Sequence, residues 1–544
     1  MPKPSGAPVR NLFRAAVEPI RAFLALEAAS GIILLASALV ALAWVNLGGG
    51  ESYQAIFSYP VTLGIGHAVV SFTLHQLVND GLMTLFFFVV GMEIKRELVV
   101  GELRTRAQAA LPAIAALGGM ILPALLFTVF NWGGSGAHGW GIPMATDIAF
   151  CIGALQLLRS RVPHALMVFV TALAIFDDIG GILVIALFYG HGIDVSWILA
   201  AAGLTLVLAG LSQARVRHGF AYALVGALLW YALHHAGIHA TIAGVMAGLA
   251  IPVRARTEPR VALAALAAYT GRLLERSPEL DLESDALLEI EGALQDLQPA
   301  LTRFVHLLHP WVAYVVVPVF ALANSGVDLR HLALSQLMGP VALGTAAGLV
   351  LGKLAGIFSF TALAVRARLA PMPGGVSHAK LLGVSLVAGI GFTVALFIAS
   401  LAYPGHAELL DQAKIGILGG SLIAGIAGAL FLRLTAVLGS TAAAKGREAA
   451  PPDGSSGAHG RGGAGSLSEH ERRASSKIVT VSRTIIRSAN RPNLPPSGLH
   501  WTPDSGCNAV RSIPSAGMGG TSGDRELERL RQLSQGGWRS ENVP

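Results

Sequence analysis

The chain has 544 residues, 53% hydrophobic and only 13% charged, with a mean hydropathy of +0.60. A soluble domain carries about 25% charged residues, and an outer-membrane barrel reads as short alternating segments. Both are excluded in favour of a polytopic, all-α membrane protein. The net charge of +7 could suggest nucleic acid, but the basic residues of the apolar region sit in loops between its runs, which is the positive-inside pattern. Cys151 and Cys507 form neither a disulfide framework nor a metal site.

Apolar length predicts about twelve spans: 24–46, 73–94, 108–130, 140–158, 164–188, 195–212, 218–235, 239–253, 311–326, 339–364, 381–402 and 413–436. Several are too short to cross alone as straight helices. Residues 1–23, with Lys3, Arg10, Arg14 and Arg21, read as a cytoplasmic N-terminus before an uncleaved first span, because the apolar run exceeds a signal h-region. The even-numbered junctions are basic: Lys95, Arg96, Arg104 and Arg106; Arg159 and Arg161; Arg215 and Arg217; Arg254, Arg256 and Arg260; Arg366, Arg368 and Lys380. The odd-numbered junctions hold only Arg330. That alternation supports an even span count with both termini cytoplasmic.

The second span carries Asp80, and Glu93 lies near its cytoplasmic end beside Lys95, Arg96 and Glu97. These read either as a membrane-surface charge cluster or as an ion entrance and pH-responsive group. In the fourth span, Pro143 is followed by Thr146 and Asp147. Proline removes a backbone hydrogen bond, which suggests a helix interrupted at membrane depth. Irregular backbone there is tolerated where it lines a cavity or is buried in protein.

The fifth span holds two adjacent carboxylates, Asp177 and Asp178, midway along the apolar run 165–188. Intramembrane charge is expensive and by default marks an ion or proton pathway. Adjacent helix positions point about 100° apart, so one aspartate can face an ion while the other faces a different partner. His239 begins the eighth span; it could titrate near neutrality or be a satisfied polar residue at a helix end. The loop 255–310 contains an acidic amphipathic stretch, read as a surface helix or linker.

Lys353 lies near the centre of the tenth span and needs a nearby anion, for which Asp177 or Asp178 is the candidate. Gly389 and Gly391 weaken the eleventh span. Spans 3–5 and 10–12 are thus triplets entering from opposite sides, each with an interrupted middle member, the signature of an inverted-repeat transporter. Residues 437–544 are rich in Gly, Ser, Pro and Arg and read as a disordered cytoplasmic tail.

Several motifs occur together: Asn79-Asp80, Gly-Met-Glu-Ile-Lys-Arg-Glu-Leu at 91–98, Ala-Thr-Asp-Ile-Ala-Phe at 145–150 and Ala-Leu-Ala-Ile-Phe-Asp-Asp-Ile-Gly at 172–180. They continue with Gly-Ile-His-Ala-Thr at 237–241, the segments 309–314 and 321–327, Gly352-Lys353, and Gly-Ile-Gly-Phe-Thr at 389–393. Through them the chain resembles the NhaA family of bacterial sodium/proton antiporters over roughly residues 12–436. Inverted repeats were described partly from this family, so that feature is not independent support.

The resemblance implies a twelve-helix fold with crossed, interrupted helices near Asp147 and Gly389. It implies Asp178 as the sodium ligand, and Asp177 as a proton carrier that pairs with Lys353. Thr146 and Asp147 would line the crossing and the ion site; Glu93 and His239 would belong to pH regulation, and Asp80 to an entrance funnel. It further implies electrogenic sodium (or lithium) export against protons at the inner membrane, no cofactor, lipid contact, and a homodimer as a possible assembly. Leu354 stands where the family usually has proline, and Val305 where members often carry glutamate. The latter weakens transfer of the family's cytoplasmic pH-sensing cluster.

Two enzyme-like or photochemical readings fit less well. An intramembrane aspartyl protease needs two aspartates converging from separate helices, whereas Asp177 and Asp178 are neighbours on one. A retinal Schiff base on Lys353 conflicts with twelve spans and interrupted helices. Transport of another solute is the alternative within the class. The acidic midplane favours a small cation over an organic anion.

Overall fold

The computed structural model describes residues 29–448, apart from 66–67, 159–161, 191, 217, 255–297, 331–336 and 375. The chain divides into two units, 1–451 and 452–544, and the described residues all belong to the first. The N-terminal segment 1–23, most of the loop 255–310 and the tail beyond 448 lie outside the described residues.

Twelve helical elements follow in order among the described residues. They are α1 (Ala29–Phe57), α2 (Leu74–Val99), α3 (Arg106–Phe130), α4 (Ser135–Met144 with Ile148–Leu157), α5 (His164–Phe188) and α6 (Val195–Gln213). Then come α7 (Gly219–His235), α8 (Ile242–Ala250), α9 (Ala300–Asn324), α10 (Pro340–Arg366), α11 (His378–Val387 with Phe392–Ala402) and α12 (Ala407–Glu448). Eight are long and apolar enough to cross a membrane, ten if each bent pair counts as one span. At 17 and 9 residues, α7 and α8 fall short of that length. The bundle is a multi-pass membrane protein. α6 shows why: it is apolar throughout, yet only Ala201 and Leu208 are buried in it. Such a helix suits lipid on its outer faces.

Several boundaries differ from expectation. α9 begins at Ala300 and not at 311, because the helix runs through Pro310 and relaxes in a wide π turn at Val312–Val316. The last helix continues to Glu448, past the expected 436. The junction 47–72 is more than a loop: α1 turns at Gly48, whose φ of 99° suits a residue without a side chain, and an antiparallel hairpin follows. Its strands, β1 (Pro60–Ile65) and β2 (Ala68–Thr73), pair from Pro60↔Thr73 to Ile65↔Ala68. Thr73 then starts α2 through a capping box with Gln76.

Glycines let key helices touch backbone to backbone, as small residues do in membranes. A Cβ on Gly356 of α10 would lie 2.1 Å from the Gly118 carbonyl of α3. The short α8 seats Gly244 and Gly248 equally close on the Thr84 and Phe88 carbonyls of α2.

The two expected interruptions are present. α4 bends by 45° and α11 by 49°. The two breaks meet, with Asp147 N donating to Ile390 O at 2.7 Å. A Cβ on Gly391 would fall 2.9 Å from the Ala145 carbonyl, so this approach requires glycine.

Candidate functional site

Breaking two helices exposes two N-termini and two C-termini, whose N–H and C=O groups need partners at membrane depth. Asp147 serves both N-termini. Its Oδ1 accepts from Phe150 N at 3.1 Å, capping the second half of α4. Its Oδ2 accepts from Thr393 N at 3.0 Å and from Thr393 Oγ1 at 2.5 Å, on the second half of α11. Ser421 of α12 completes that end, its Oγ accepting from Gly391 N and Phe392 N at 3.2 and 3.3 Å. A carboxylate suits this position because helix N-termini carry partial positive charge.

Thr146 faces the opposite end of the first half of α11. Its Oγ1 lies 2.9 Å from Ala388 O and 2.7 Å from Asp177 Oδ2. The threonine thus joins the crossing to α5. Asp177 Oδ2 also accepts from Lys353 Nζ of α10 at 2.5 Å, with both side chains fully buried. Lys353 follows directly on a π turn at Gly348–Gly352, a distortion that recurs at functional sites. α10 continues past Leu354 as a helix, without the proline usual in the family.

Asp178 points elsewhere, as adjacent helix positions must. It lines a cavity of about 430 Å³ together with Thr146, Asp147, Thr393, Glu93 and His309. Glu93 lies 3.8 Å from His309 Nε2. Asp147, Asp177, Asp178, Thr146 and Lys353 are all at most 5% exposed. Pro143 packs against Gly348, while Gly389 and Gly391 pass against Leu349.

Asp80 and His239 are not in this cluster. They line a second cavity of about 540 Å³ with His75, Asn79, Tyr189 and Tyr403. In its wall, Tyr189 and Tyr403 donate to the His138 and Gly136 carbonyls at 3.0 and 2.7 Å, anchoring the first half of α4. The charge cluster at the end of α2 also disperses. Lys95 Nζ donates to Ile251 O at 2.6 Å, Glu97 pairs with Arg96 at 3.3 Å, and Glu93 turns to His309. Val305 is buried in the apolar core.

Sequence reasoning did not single out Thr393, Ser421 or His309 as site residues. Thr393 and His309 stand inside motifs quoted above. Ser421 had no sequence signal, being one small hydroxyl within a long apolar run of α12.

The family model for Na+/H+ antiporter 1 matches residues 21–432. A Na(+)/H(+) antiporter NhaA from Anaeromyxobacter sp. (strain Fw109-5) is 63% identical over 434 residues, covering 80% of this chain and 95% of its own length. NhaA 1 of Myxococcus xanthus (strain DK1622) is 53% identical over 429 residues, covering 79% and 96%. NhaA of Oleidesulfovibrio alaskensis is 45% identical over 422 residues, covering 76% and 94%. Since the matched segment encloses both helix breaks, both adjacent aspartates and Lys353, the chain belongs to the Na+/H+ antiporter 1 family.

Proposed function

We propose that the protein exports sodium or lithium in exchange for protons at the bacterial inner membrane, with both termini cytoplasmic. It is a transporter and not an enzyme, and works without a cofactor. The observation that carries this reading is the divergence of two neighbours: Asp177 is tied to Lys353, while Asp178 lines the cavity. One carboxylate is available to a cation and the other exchanges a lysine partner for a proton.

In the cycle, Asp178 takes sodium from one side, assisted by Thr146 and backbone oxygens of the crossing. The helix crossing then rocks, and protons arriving from the other side displace the ion. A ligand moves such an equilibrium only by binding its two states unequally. If Asp177 and Asp178 together exchange two protons for one sodium, each turn moves one net charge and responds to membrane potential. Glu93 and His239 are assigned to pH regulation, Asp80 to the funnel on the other side, and residues 24–436 to the transport domain. Residues 1–23 and 437–544 are assigned to cytoplasmic ends, and the assembly to a lipid-embedded homodimer.

Calorimetric titration of purified protein with sodium chloride tests the ion site. Wild type should give a saturable heat at alkaline pH that is absent in Asp178→Asn. Equal binding by the variant would overturn the assignment.

A further inference from the structure

Where α11 resumes after its break, its first N–H groups have no partner within the helix. Three of them, on Gly391, Phe392 and Thr393, are met from outside. Ser421 Oγ of α12 accepts the first two at 3.2 and 3.3 Å, and Asp147 Oδ2 accepts the third at 3.0 Å. α12 is fitted to the break along the same face. A Cβ on Gly389 would meet Ala424 Cβ at 3.1 Å, and one on Gly428 would meet Val387 N at 2.8 Å. Ser421, Ala424 and Gly428 follow one another at steps of three and four residues, the spacing of one helix face.

How these donors are divided matters for Asp147. An ionised carboxylate offers about four lone-pair directions. Asp147 already uses three, on Phe150 N, Thr393 N and Thr393 Oγ1. One is left, and Asp147 lines the same cavity as Asp178. Gly391 N and Phe392 N stand directly before Thr393 N, at the positive end of the helix. Without an acceptor on α12, Asp147 Oδ2 is the carboxylate oxygen at hand for them. Ser421 is neutral and buried, and is not among the residues that line the cavity. It satisfies the helix end without adding charge beside the ion site.

We infer that Ser421 is a positioning residue for sodium binding: by taking two N–H groups of α11, it keeps one lone pair of Asp147 free to meet the cation held at Asp178. The inference rests on the sodium-exchange reading above. It goes beyond that reading by placing a determinant of sodium affinity on α12, outside the crossing itself. Removing the hydroxyl deletes no ion ligand. It turns Asp147 toward α11, so the site holds sodium less tightly while both adjacent aspartates stay in place.

The test uses full-length protein in proteoliposomes. Ser421→Ala should raise the KM for sodium about fivefold, with a maximal rate within about twofold of wild type, the pattern of lost binding. Ser421→Thr, which keeps the hydroxyl, should bring KM back to the wild-type value. Ser421→Cys is close in size, but its sulfur is a weak acceptor. KM should rise in that variant too, and it decides alone if Ser421→Ala fails to insert. A fallen maximal rate at unchanged KM would show a scaffold role only and overturn the inference.

Melting of the purified protein over a sodium chloride series gives a readout independent of transport. A ligand that binds the folded state raises its melting temperature as the concentration passes its dissociation constant. Ser421→Ala should need about fivefold more sodium than wild type for the same rise. A cap that only supports the fold would lower the sodium-free melting temperature and leave that concentration unchanged. An unchanged concentration in both Ser421→Ala and Ser421→Cys, with wild-type exchange intact, would overturn the role of Ser421 only. Sodium-dependent melting of a wild type that exchanges nothing would contradict the antiport reading only.

Discussion

Lys353 Nζ of α10 lies 2.5 Å from Asp177 Oδ2 of α5, and neither side chain is exposed. Each member of this pair makes the other's charge tolerable at membrane depth. Removing one strands the other, at a cost of about 3–5 kcal/mol, whereas replacing both with apolar groups of similar volume is near neutral.

Lys353→Ala should therefore melt at a markedly lower temperature in detergent. The double variant Asp177→Leu/Lys353→Met should regain most of that loss while remaining unable to exchange protons. Thermal unfolding followed by tryptophan fluorescence checks the first part. A double variant no more stable than Lys353→Ala would contradict the pairing argument.

Thr393 binds Asp147 through both its backbone N–H and its hydroxyl, at 3.0 and 2.5 Å. Thr393→Val keeps the first bond and loses the second. A hydrogen bond to a charged group contributes about 1.5–3 kcal/mol, so a loss of that order is expected, with a raised KM for sodium as the crossing loosens. Thr393→Ser should behave as wild type. Denaturation and transport assays on the two variants separate the hydroxyl from side-chain shape.

The glycine contact between α3 and α10 makes a steric prediction. At Gly356 an alanine Cβ would meet the Gly118 carbonyl at 2.1 Å, and backbone cannot step aside as a flexible side chain can. Gly356→Ala should force the helices apart, displace Lys353 three residues away and lose exchange. Gly203→Ala on α6, where no atom lies within 4 Å, should gain up to about 1 kcal/mol in helix stability and retain exchange. Expression, melting and transport of the two alanine variants provide the comparison.

Much of this site was legible in the sequence because charge inside an apolar run has few innocent explanations. Asp177, Asp178 and Lys353 stood out for that reason, and Pro143 and Gly389 announced the breaks. Spacing alone left open which aspartate meets Lys353, and only the family resemblance named Asp177, since helix spacing gives directions relative to one axis and not the position of another helix. Ser421 was invisible because its role depends on where α11 breaks. The start of α9 was misplaced because apolar length begins only after Arg303, His306 and His309, although the helix runs from Ala300 through Pro310 into a π turn. The hairpin at 60–73 was passed over as a junction between two strong apolar signals.

Proton competition gives the sign of the pH dependence. A protonated carboxylate does not bind sodium, so acid must weaken sodium binding. Where the ion-free site is protonated, the KM for sodium rises up to about tenfold per unit fall in pH for each proton that sodium displaces, and up to about a hundredfold if Asp177 and Asp178 both exchange, by mutual linkage of ligands at shared groups. Initial rates over a sodium series at several pH values measure this. A KM independent of pH would show that protons and sodium use separate groups.

The central claim is cation/proton exchange through Asp178. The most direct measurement is dissipation of a pH gradient in inverted membrane vesicles on adding sodium, lithium or potassium, for wild type and Asp178→Asn. Wild type should respond to sodium or lithium, and the variant, present at equal abundance, to neither. A sodium response undiminished in Asp178→Asn, or no response to any cation from wild type between pH 6 and about 9, would contradict the account.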